Sequence, residues 1–298
     1  MRISFQTGFR HALSDIQRTS EELARRQREV SSGLRLQAPS DDPTSAVGAV
    51  TEHAALGAID RYARAADSVS ARLTVVDTVL GDIVEKLTQA QAVATGGLGD
   101  TPTTAQREAA ARELAGLRDA LFGDFNTNFR GVFVFSGTAS TTSPFLRNPD
   151  QTVGAYQGDT TTISVDIDRT SAVQVTFDGS SVAQGSDPRD VFTVLEGLRA
   201  DILAANTPGV EAGIVDLKEA FDRAVKAQTQ VGTDQKALED QRLRLTDETL
   251  GAKARLSKLQ DANMAEAISA MNRAEAGYQA ALGATATITR VSLMDFLR

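Results

Sequence analysis

Both ends of this 298-residue chain carry helical stripes of apolar side chains, and no other feature limits the possible folds as strongly. The stripe positions near the N-terminus recur at alternating spacings of four and three, the signature of a coiled coil or helical bundle. They are Phe9, Leu13, Ile16, Ser20, Leu23, Gln27, Val30 and Leu34. The C-terminal set is Ile268, Met271, Tyr278, Leu282, Ile288, Val291 and Leu297. Because neither stripe has a partner next to it in sequence, we expect the ends to pair with each other or with other subunits.

The composition favours elongated helices over an enzyme with a large aromatic core. The chain is 41% hydrophobic but only 5% aromatic, and it has no Trp. It also has no Cys, which excludes disulfides and thiolate metal sites. The net charge of −8 is uneven: residues 1–50 carry +1 and residues 249–298 carry +2, so −11 falls on residues 51–248. This acidic balance argues against a nucleic-acid partner.

A loop rich in Pro and Asp interrupts the first helical stretch. We expect a helix over 8–35 that ends near Gly33, followed by a second helix from residue 44. The loop motif is Ser40, Asp41, Asp42 and Pro43. Its side-chain oxygens can accept hydrogen bonds from the free N–H groups of the second helix, and proline is tolerated in a first turn. The motif therefore favours a helix–loop–helix joint over a ligand site.

The middle of the chain changes from helical to β period and back. Three short segments rich in β-branched or aromatic residues predict strands in an antiparallel β insert. We expect breaks at Pro208-Gly209 and at Gly232, and almost unbroken helix from residue 234. The predicted helices are 8–35, 44–95, 105–122, 190–206 and 210–230, and the predicted strands lie in 131–137, 161–167 and 172–179.

These patterns predict a mainly α fold with a small β insert. Its N- and C-terminal helices would pair as a coiled coil, beside a helical bundle shaft and an outward antiparallel β domain. The predicted segments are 1–44 (N-terminal assembly helix and loop), 45–130 (first part of the shaft), 131–186 (β-rich outer domain), 187–258 (second part of the shaft) and 259–298 (C-terminal assembly helix).

No combination of residues indicates catalysis or cofactor binding. His11 and His53 are the only histidines and belong to different predicted helices. Gly96, Gly97 and Gly99 follow a helix and precede no Lys-Ser/Thr pair, so they do not form a phosphate loop. We therefore expect no catalytic residue, no cofactor and no metal site.

The N-terminus lacks the features of a cleavable secretory signal, and no stretch reaches the ~20 apolar residues of a membrane span. By these general rules alone the protein would be assigned to the cytoplasm.

Four segments resemble the flagellin-like family of bacterial axial proteins. They are the opening MRIS, SSGLRLQAPSDDPTSA over 31–46, FRGVFVFSGT over 129–138, and the ending SLMDFLR over 292–298. The resemblance covers the whole chain in order. It implies a non-enzymatic structural protein of the bacterial flagellum, joining hook to filament by self-assembly through terminal coiled-coil helices. It also replaces the cytoplasmic expectation with an extracellular one, because the family is exported through the type III apparatus without a cleaved signal peptide.

The resemblance implies particular partners as well. These are further copies of the chain in a homo-oligomeric ring, a neighbouring hook-associated protein, flagellin and an export chaperone, with no nucleic acid and no membrane. Two alternatives stay open. One is a filament flagellin of reduced size. The other is a cytoplasmic coiled-coil scaffold, which fits the charge and the missing signal but gives no reason for a β insert flanked symmetrically by apolar stripes.

Overall fold

A computed structural model describes residues 2–98, 102–168 and 172–296, with the side chains of residues 2–9 and 288–296 outside the description. Over these residues the chain is mainly α with a small β insert, as the sequence predicts. Its helices are α1 Arg2–Ser32, α2 Pro43–Gly96, α3 Thr104–Phe125, α4 Gly179–Ala183, α5 Val191–Ala204, α6 Thr207–Gln260 and α7 Met264–Phe296. Its strands are β1 Asn128–Phe129, β2 Val132–Phe133, β3 Ser164–Asp166 and β4 Ala172–Gln174.

The helix ends follow local chemistry that is visible in the sequence. α1 ends at Gly33, whose φ of +71° is readily available only to glycine. α2 starts with Pro43 in its first turn, where a missing N–H costs nothing. α3 starts with a capping box in which Thr103 and Gln106 each satisfy the other's backbone N–H.

The long helix α6 differs from the sequence prediction at two places. It begins at Thr207, so Pro208 and Gly209 lie in its first turn instead of separating two elements. It then continues through Gly232, and the predicted break there is wrong. A single glycine costs a helix only about 1 kcal/mol relative to alanine, which the packing of a long helix offsets. A Cβ at Gly232 would meet no atom within 4 Å, so no tertiary contact breaks the helix at that point.

The β insert has less regular pairing than its sequence suggests. β1 pairs with β2 and β3 with β4, both antiparallel, over only two and three residue pairs. Positive φ values at Arg130, Gly131 and Gly137 turn the chain sharply between these short ladders. Hydrogen bonds from backbone N–H groups to side chains, among them those to Asp159, fix the conformation of much of the remaining backbone.

The chain forms two compact units. The terminal unit comprises Met1–Ile59 and Asp247–Arg298, and the central unit comprises Asp60–Thr246. The central unit has an extensive apolar core that joins α2, α3, α5 and α6 to the β insert. An aromatic cluster of Phe125, Phe135, Phe145 and Phe192 belongs to this core, with ring centroids 4.9–5.7 Å apart.

Candidate functional site

The terminal unit buries very little apolar side chain. Among its described side chains, the buried hydrophobic residues are three alanines: Ala49, Ala252 and Ala267. Seven large hydrophobic side chains of the same unit are exposed: Leu13, Val47, Val50, Leu250, Met264, Ile268 and Leu282. Apolar surface that is exposed and contiguous is typical of sites that contact another protein, a membrane or a ligand.

Helices α1 and α7, the terminal pair, pack against each other. The less exposed positions of both helices alternate at spacings of four and three, as expected for two helices that share one long contact face. On α1 these positions are Ala12, Ile16, Thr19, Leu23, Arg26 and Val30. On α7 they are Ala267, Met271, Ala274, Tyr278, Ala281 and Thr285.

The structure divides the residues of the predicted interface between two faces. Ile16, Leu23, Val30, Met271 and Tyr278 lie on the packed face. The other stripe members with described side chains, except Leu34, lie one position away from it and are exposed: Leu13, Ser20, Gln27, Ile268 and Leu282.

Alanine or threonine takes the packed position next to each of these exposed residues except Gln27, which follows Arg26. Small side chains let two helices approach closely. The large residues are consequently left for other contacts. Phe9, Ile288 and Val291 lie in the terminal pair with side chains outside the description, and Leu297 lies outside the described residues.

Backbone hydrogen bonds join the α1–α2 loop to the α6–α7 connection. Leu34 and Asp261 form an antiparallel bridge. Ala262 N donates to Gly33 O at 2.9 Å, and Arg35 N donates to Gln260 O at 2.7 Å. This paired joint, residues 33–43 together with 260–263, brings the C-terminal end of α1 to the N-terminal end of α7. The terminal pair is therefore antiparallel.

The loop motif supports the paired joint with carboxylates. Asp41 Oδ2 accepts hydrogen bonds from the backbone N–H groups of Gln37 and Ala38, at 3.1 and 2.9 Å. Asp42 Oδ1 accepts from Ser45 N at 3.1 Å and so caps α2. These bonds favour the charged forms: the backbone donors lower the pKa of Asp41, and the Ser45 hydroxyl and N–H lower the pKa of Asp42.

Pro43 follows Asp42 in the first turn of α2, and Ser40 is exposed in the turn before the two aspartates. Arg35 extends the polar network, since its guanidinium donates to Leu259 O at 3.0 Å and lies 3.6 Å from Asp42. The motif holds a joint, as its sequence predicts.

Beyond the joint, α2 and α6 run antiparallel and meet at small residues. A Cβ on Gly48 would lie 3.1 Å from Leu259 Cδ1, so the two helices are in close contact there. One helical turn further along α2, Glu52 accepts two hydrogen bonds from Arg255, at 2.7 and 3.0 Å. The Arg255 guanidinium lowers the pKa of Glu52, and the carboxylate in turn raises the pKa of Arg255.

The described residues offer no evident centre for chemistry. Across 2–98, 102–168 and 172–296, no cluster of three or more His, Cys, Asp or Glu side chains is arranged to hold a metal ion. Nor does any helix in those ranges have a segment long and apolar enough to cross a membrane.

The almost unbroken helix predicted from residue 234 is interrupted between α6, which ends at Gln260, and α7, which begins at Met264. No Gly or Pro marks it, but Asn263 Oδ1 accepts a hydrogen bond from Ala265 N at 3.2 Å. Glu266 follows three residues after Asn263, and this spacing is a known signal for a helix start. The signal was therefore present in the sequence, next to the apolar stripe.

Two family descriptions match the chain. The bacterial flagellin N-terminal helical region matches residues 3–140, and the bacterial flagellin C-terminal helical region matches residues 214–297. Together they cover nearly three quarters of the chain and include both helices of the terminal pair. The chain belongs to the flagellin-like family.

Within the flagellin-like family, the chain is similar to curated proteins over their full length. It is 25% identical to the "Flagellar hook-associated protein 3" of Salmonella typhimurium over 324 aligned positions, which cover 100% of both chains. It is 23% identical to the protein of the same name from Escherichia coli, with 99% of each chain covered.

Solved structures share the fold of this flagellin-like chain. A putative flagellar hook-associated protein from Vibrio parahaemolyticus matches 74% of this chain and 100% of its own, with a TM-score of 0.69 and 18% identity. The flagellar junction protein FlgL from Legionella pneumophila matches 72% of this chain and 100% of its own, with a TM-score of 0.60 and 13% identity.

Proposed function

We propose that this chain is a structural protein of the bacterial flagellum that joins hook to filament by self-assembly through its terminal helices. The observation that carries the proposal is the terminal unit, which exposes seven large hydrophobic side chains and buries only alanines among its described hydrophobic residues. Full-length similarity to proteins named flagellar hook-associated protein 3, and a fold shared with a flagellar junction protein, support the flagellar setting.

In this proposal, residues 1–44 and 259–298 pair as a coiled coil in the inner wall of a tubular junction. Residues 45–130 and 187–258 form a helical shaft, and residues 131–186 project outward. The packed face between α1 and α7 supports the pairing, because its positions alternate at spacings of four and three. Leu13, Ile268 and Leu282, one position outside that face, are then free to contact neighbouring copies.

The same arrangement explains how a chain with apolar ends remains unassembled before it reaches the flagellum. Isolated helices are marginal in water, and most helical stability comes from packing. The terminal pair buries few large side chains within one copy, so its full order depends on the apolar area buried between copies. We infer export without cleavage of the N-terminus, and an export chaperone that covers the exposed stripes until assembly.

The proposed partners are other copies of the chain in a ring, a neighbouring hook-associated protein on one side and flagellin on the other. Head-to-tail contacts that close into a ring orient every copy in the same direction, so the two faces of the ring present different surfaces. Such a ring suits a position between two different lattices. Catalysis has no part in the proposed role.

We expect Leu13→Asp or Leu282→Asp to reduce incorporation into flagella at least tenfold. Leu13 and Leu282 are 49% and 43% exposed in one copy, and burying a charge at either position between copies is unfavourable. Counting labelled junctions per cell by immunofluorescence measures the effect. Ser14→Asp and Ser269→Asp are controls, since both residues are exposed and polar and lie about 100° and 140° around the helix from Leu13 and Leu282. Normal incorporation of the leucine variants would contradict assembly through the terminal helices.

The position of the label separates the junction from the filament alternative. We expect one ring of signal at the base of each filament. Signal along the whole filament would instead identify a flagellin, and signal confined to the cytoplasm would support the scaffold alternative. Intact mass of the protein sheared from cells tests the export proposal, because an uncleaved N-terminus retains Arg2 and the residues that follow.

A further inference from the structure

The first turns of α2 are unusually apolar on the side that faces away from α6. If histidine is counted as neutral, Glu52 is the only ionised residue between residues 43 and 59 at pH 7. It forms an ion pair with Arg255. Val47 and Val50 are 70% and 69% exposed, which makes them the most exposed large hydrophobic residues in the described part of the chain.

A second apolar position lies on the far side of α6. Leu250 is 62% exposed. Contacts at Gly48–Leu259 and Glu52–Arg255 define the sides on which α2 and α6 meet. At roughly 100° per residue, Val50 lies about half a turn from the contact side of α2, and Leu250 lies about half a turn from the contact side of α6.

The two apolar patches therefore lie back to back on one helix pair. The α2 patch consists of Val47, Val50 and Ala54, and the α6 patch consists of Leu250 and Ala254, all exposed. No ionised residue lies in the α2 patch, which His53 borders, and Asp247 and Lys253 border Leu250 on α6. Since they face opposite directions, a single neighbour docked on one side covers one patch and leaves the other in water.

We propose that the α2 patch of one copy contacts the α6 patch of the next copy. This head-to-tail contact rests on the proposed self-assembly and names a second interface for it, outside the terminal pair. The occupant is a second copy because the chain itself carries a complementary patch on the opposite side of the same helix pair. Small valine and alanine side chains on α2 allow α6 of the neighbour to approach closely. Two copies in contact leave one free patch of each kind between them for further copies, whereas a two-fold contact would stop at two.

Engineered cysteines test this contact directly, because the chain has none of its own. Cells would produce two versions together, one with Val50→Cys and the other with Leu250→Cys. Sheared flagella would then be treated with a short bismaleimide crosslinker. We expect at least fivefold more crosslinked dimer than from Val50→Cys with Glu248→Cys. Glu248 is exposed and lies two residues before Leu250, about 200° away around the helix, so it is a matched control.

Other outcomes of the crosslinking would overturn the contact. Equal crosslinking with the control would show that no specific contact exists at Leu250. Equal crosslinking of Val50→Cys with itself would show a two-fold contact. Both results leave the proposed function intact if the protein is present at junctions. Absence of the unmodified protein from flagella would instead remove the proposed function and this contact together.

A charge exchange gives a second readout that does not depend on the cysteine variants. We expect Val50→Glu and Leu250→Lys each to reduce incorporation at least tenfold, and the two changes in one chain to restore it to within threefold of the unmodified protein. Restoration follows because each contact would then contain one charge of each sign. A loss without restoration would overturn the contact.

Discussion

Gly137 is the residue that the β insert constrains most closely. Its φ is +65°, and a Cβ at this position would lie 2.1 Å from the carbonyl oxygen of Asp159. Gly131, six residues earlier, has a φ of +85° but no atom within 4 Å of such a Cβ. A substitution at Gly131 therefore meets only the cost of the positive φ, whereas a substitution at Gly137 meets that cost and a steric clash as well.

We expect Gly137→Ala to destabilise the protein more than Gly131→Ala does. Left-handed backbone costs an alanine roughly 1–2 kcal/mol at either position. At Gly137 the backbone of residue 159 must also move, which adds about 2 kcal/mol. Urea unfolding followed by circular dichroism measures both variants. Equal losses would mean that the approach of Asp159 to Gly137 is not maintained in solution.

Asp159 connects distant parts of the same insert through its carboxylate. Oδ1 accepts hydrogen bonds from Thr138 N at 2.8 Å and from Thr161 N at 3.0 Å, and Oδ2 accepts from the Thr138 hydroxyl. These bonds to the charged form lower the pKa of Asp159 from its ordinary value of 3.8.

A carboxyl with a lowered pKa stabilises the folded state above its unfolded pKa, and this contribution is lost as the pH falls through the lowered value. We therefore expect Asp159→Asn to reduce the melting temperature by a few degrees at pH 7 and by less at pH 3. Calorimetry at both pH values measures the difference. Asp166→Asn, at an exposed aspartate of the same insert, provides a control for the loss of a surface carboxylate. A constant effect of Asp159→Asn across this range would contradict the assigned pKa direction.

At the scale of elements, the aromatic cluster determines how the β insert attaches to the helices. Phe125 ends α3, and its ring lies 5.5–5.7 Å from the rings of Phe135, Phe145 and Phe192. Phe135 and Phe145 come from the insert and Phe192 from the start of α5. The Phe125 side chain of α3 therefore contacts both the insert and α5. Edge-to-face and tilted ring pairs of this kind add to the energy of apolar burial.

We expect Phe125→Ala to cost about 3–5 kcal/mol of unfolding free energy, because it removes a fully buried ring and leaves a cavity. Phe129→Ala is a matched control, since this ring packs on the core while remaining half-buried. It should cost less. Denaturant unfolding of both variants tests the difference, which would vanish if the cluster were loosely packed.

The predicted helix ends agree with the structure where a residue in the sequence itself determines the end. The predictions differ from the structure where tertiary packing determines how far an element extends. Gly33 and Pro43 mark ends correctly, because each acts through its own backbone. Gly232 is an intrinsic weak point that the length and packing of α6 override. The strands are shorter than predicted, because hydrogen bonds from Asp159 and turns at positive φ replace part of the ladder.

At the scale of the whole molecule, the two units differ in what holds each one together. The central unit has a large apolar core, whereas no large hydrophobic side chain is buried among the described residues of the terminal unit. Regions with few buried apolar contacts open at low free-energy cost. The terminal unit is therefore expected to be the less protected part of an unassembled copy.

Limited proteolysis of the purified monomer tests this expectation. We expect early cleavage within residues 10–59 and 247–287, and a resistant fragment close to residues 60–246. Incorporated protein in sheared flagella should resist cleavage at the same sites, because neighbouring copies cover them. Equal resistance of both units in the monomer would favour a self-contained scaffold.

The sequence indicated which helices form the candidate site, but it identified only some of the residues on the packed face. The spacing of four and three indicated the terminal helices, and the Asp-Asp-Pro motif indicated the α1–α2 half of the paired joint but not its α6–α7 half. Leu13, Ile268 and Leu282 fell one position off the packed face, because hydrophobicity alone favours leucine over the neighbouring alanines that close packing selects. Val47 and Val50 were missed as a surface, since only a structure shows which side of an apolar helix is left uncovered.

The paired joint also affects the order of events during synthesis. Arg35 binds Leu259 across 224 positions of sequence, so α1 leaves the ribosome long before its partner exists. At 5–20 residues per second this delay lasts roughly 10–45 s, far longer than the microseconds that hydrophobic collapse requires. The polar residues Ser20 and Gln27 interrupt the apolar stripe of α1. We expect them to reduce non-specific hydrophobic association of the nascent helix during that interval.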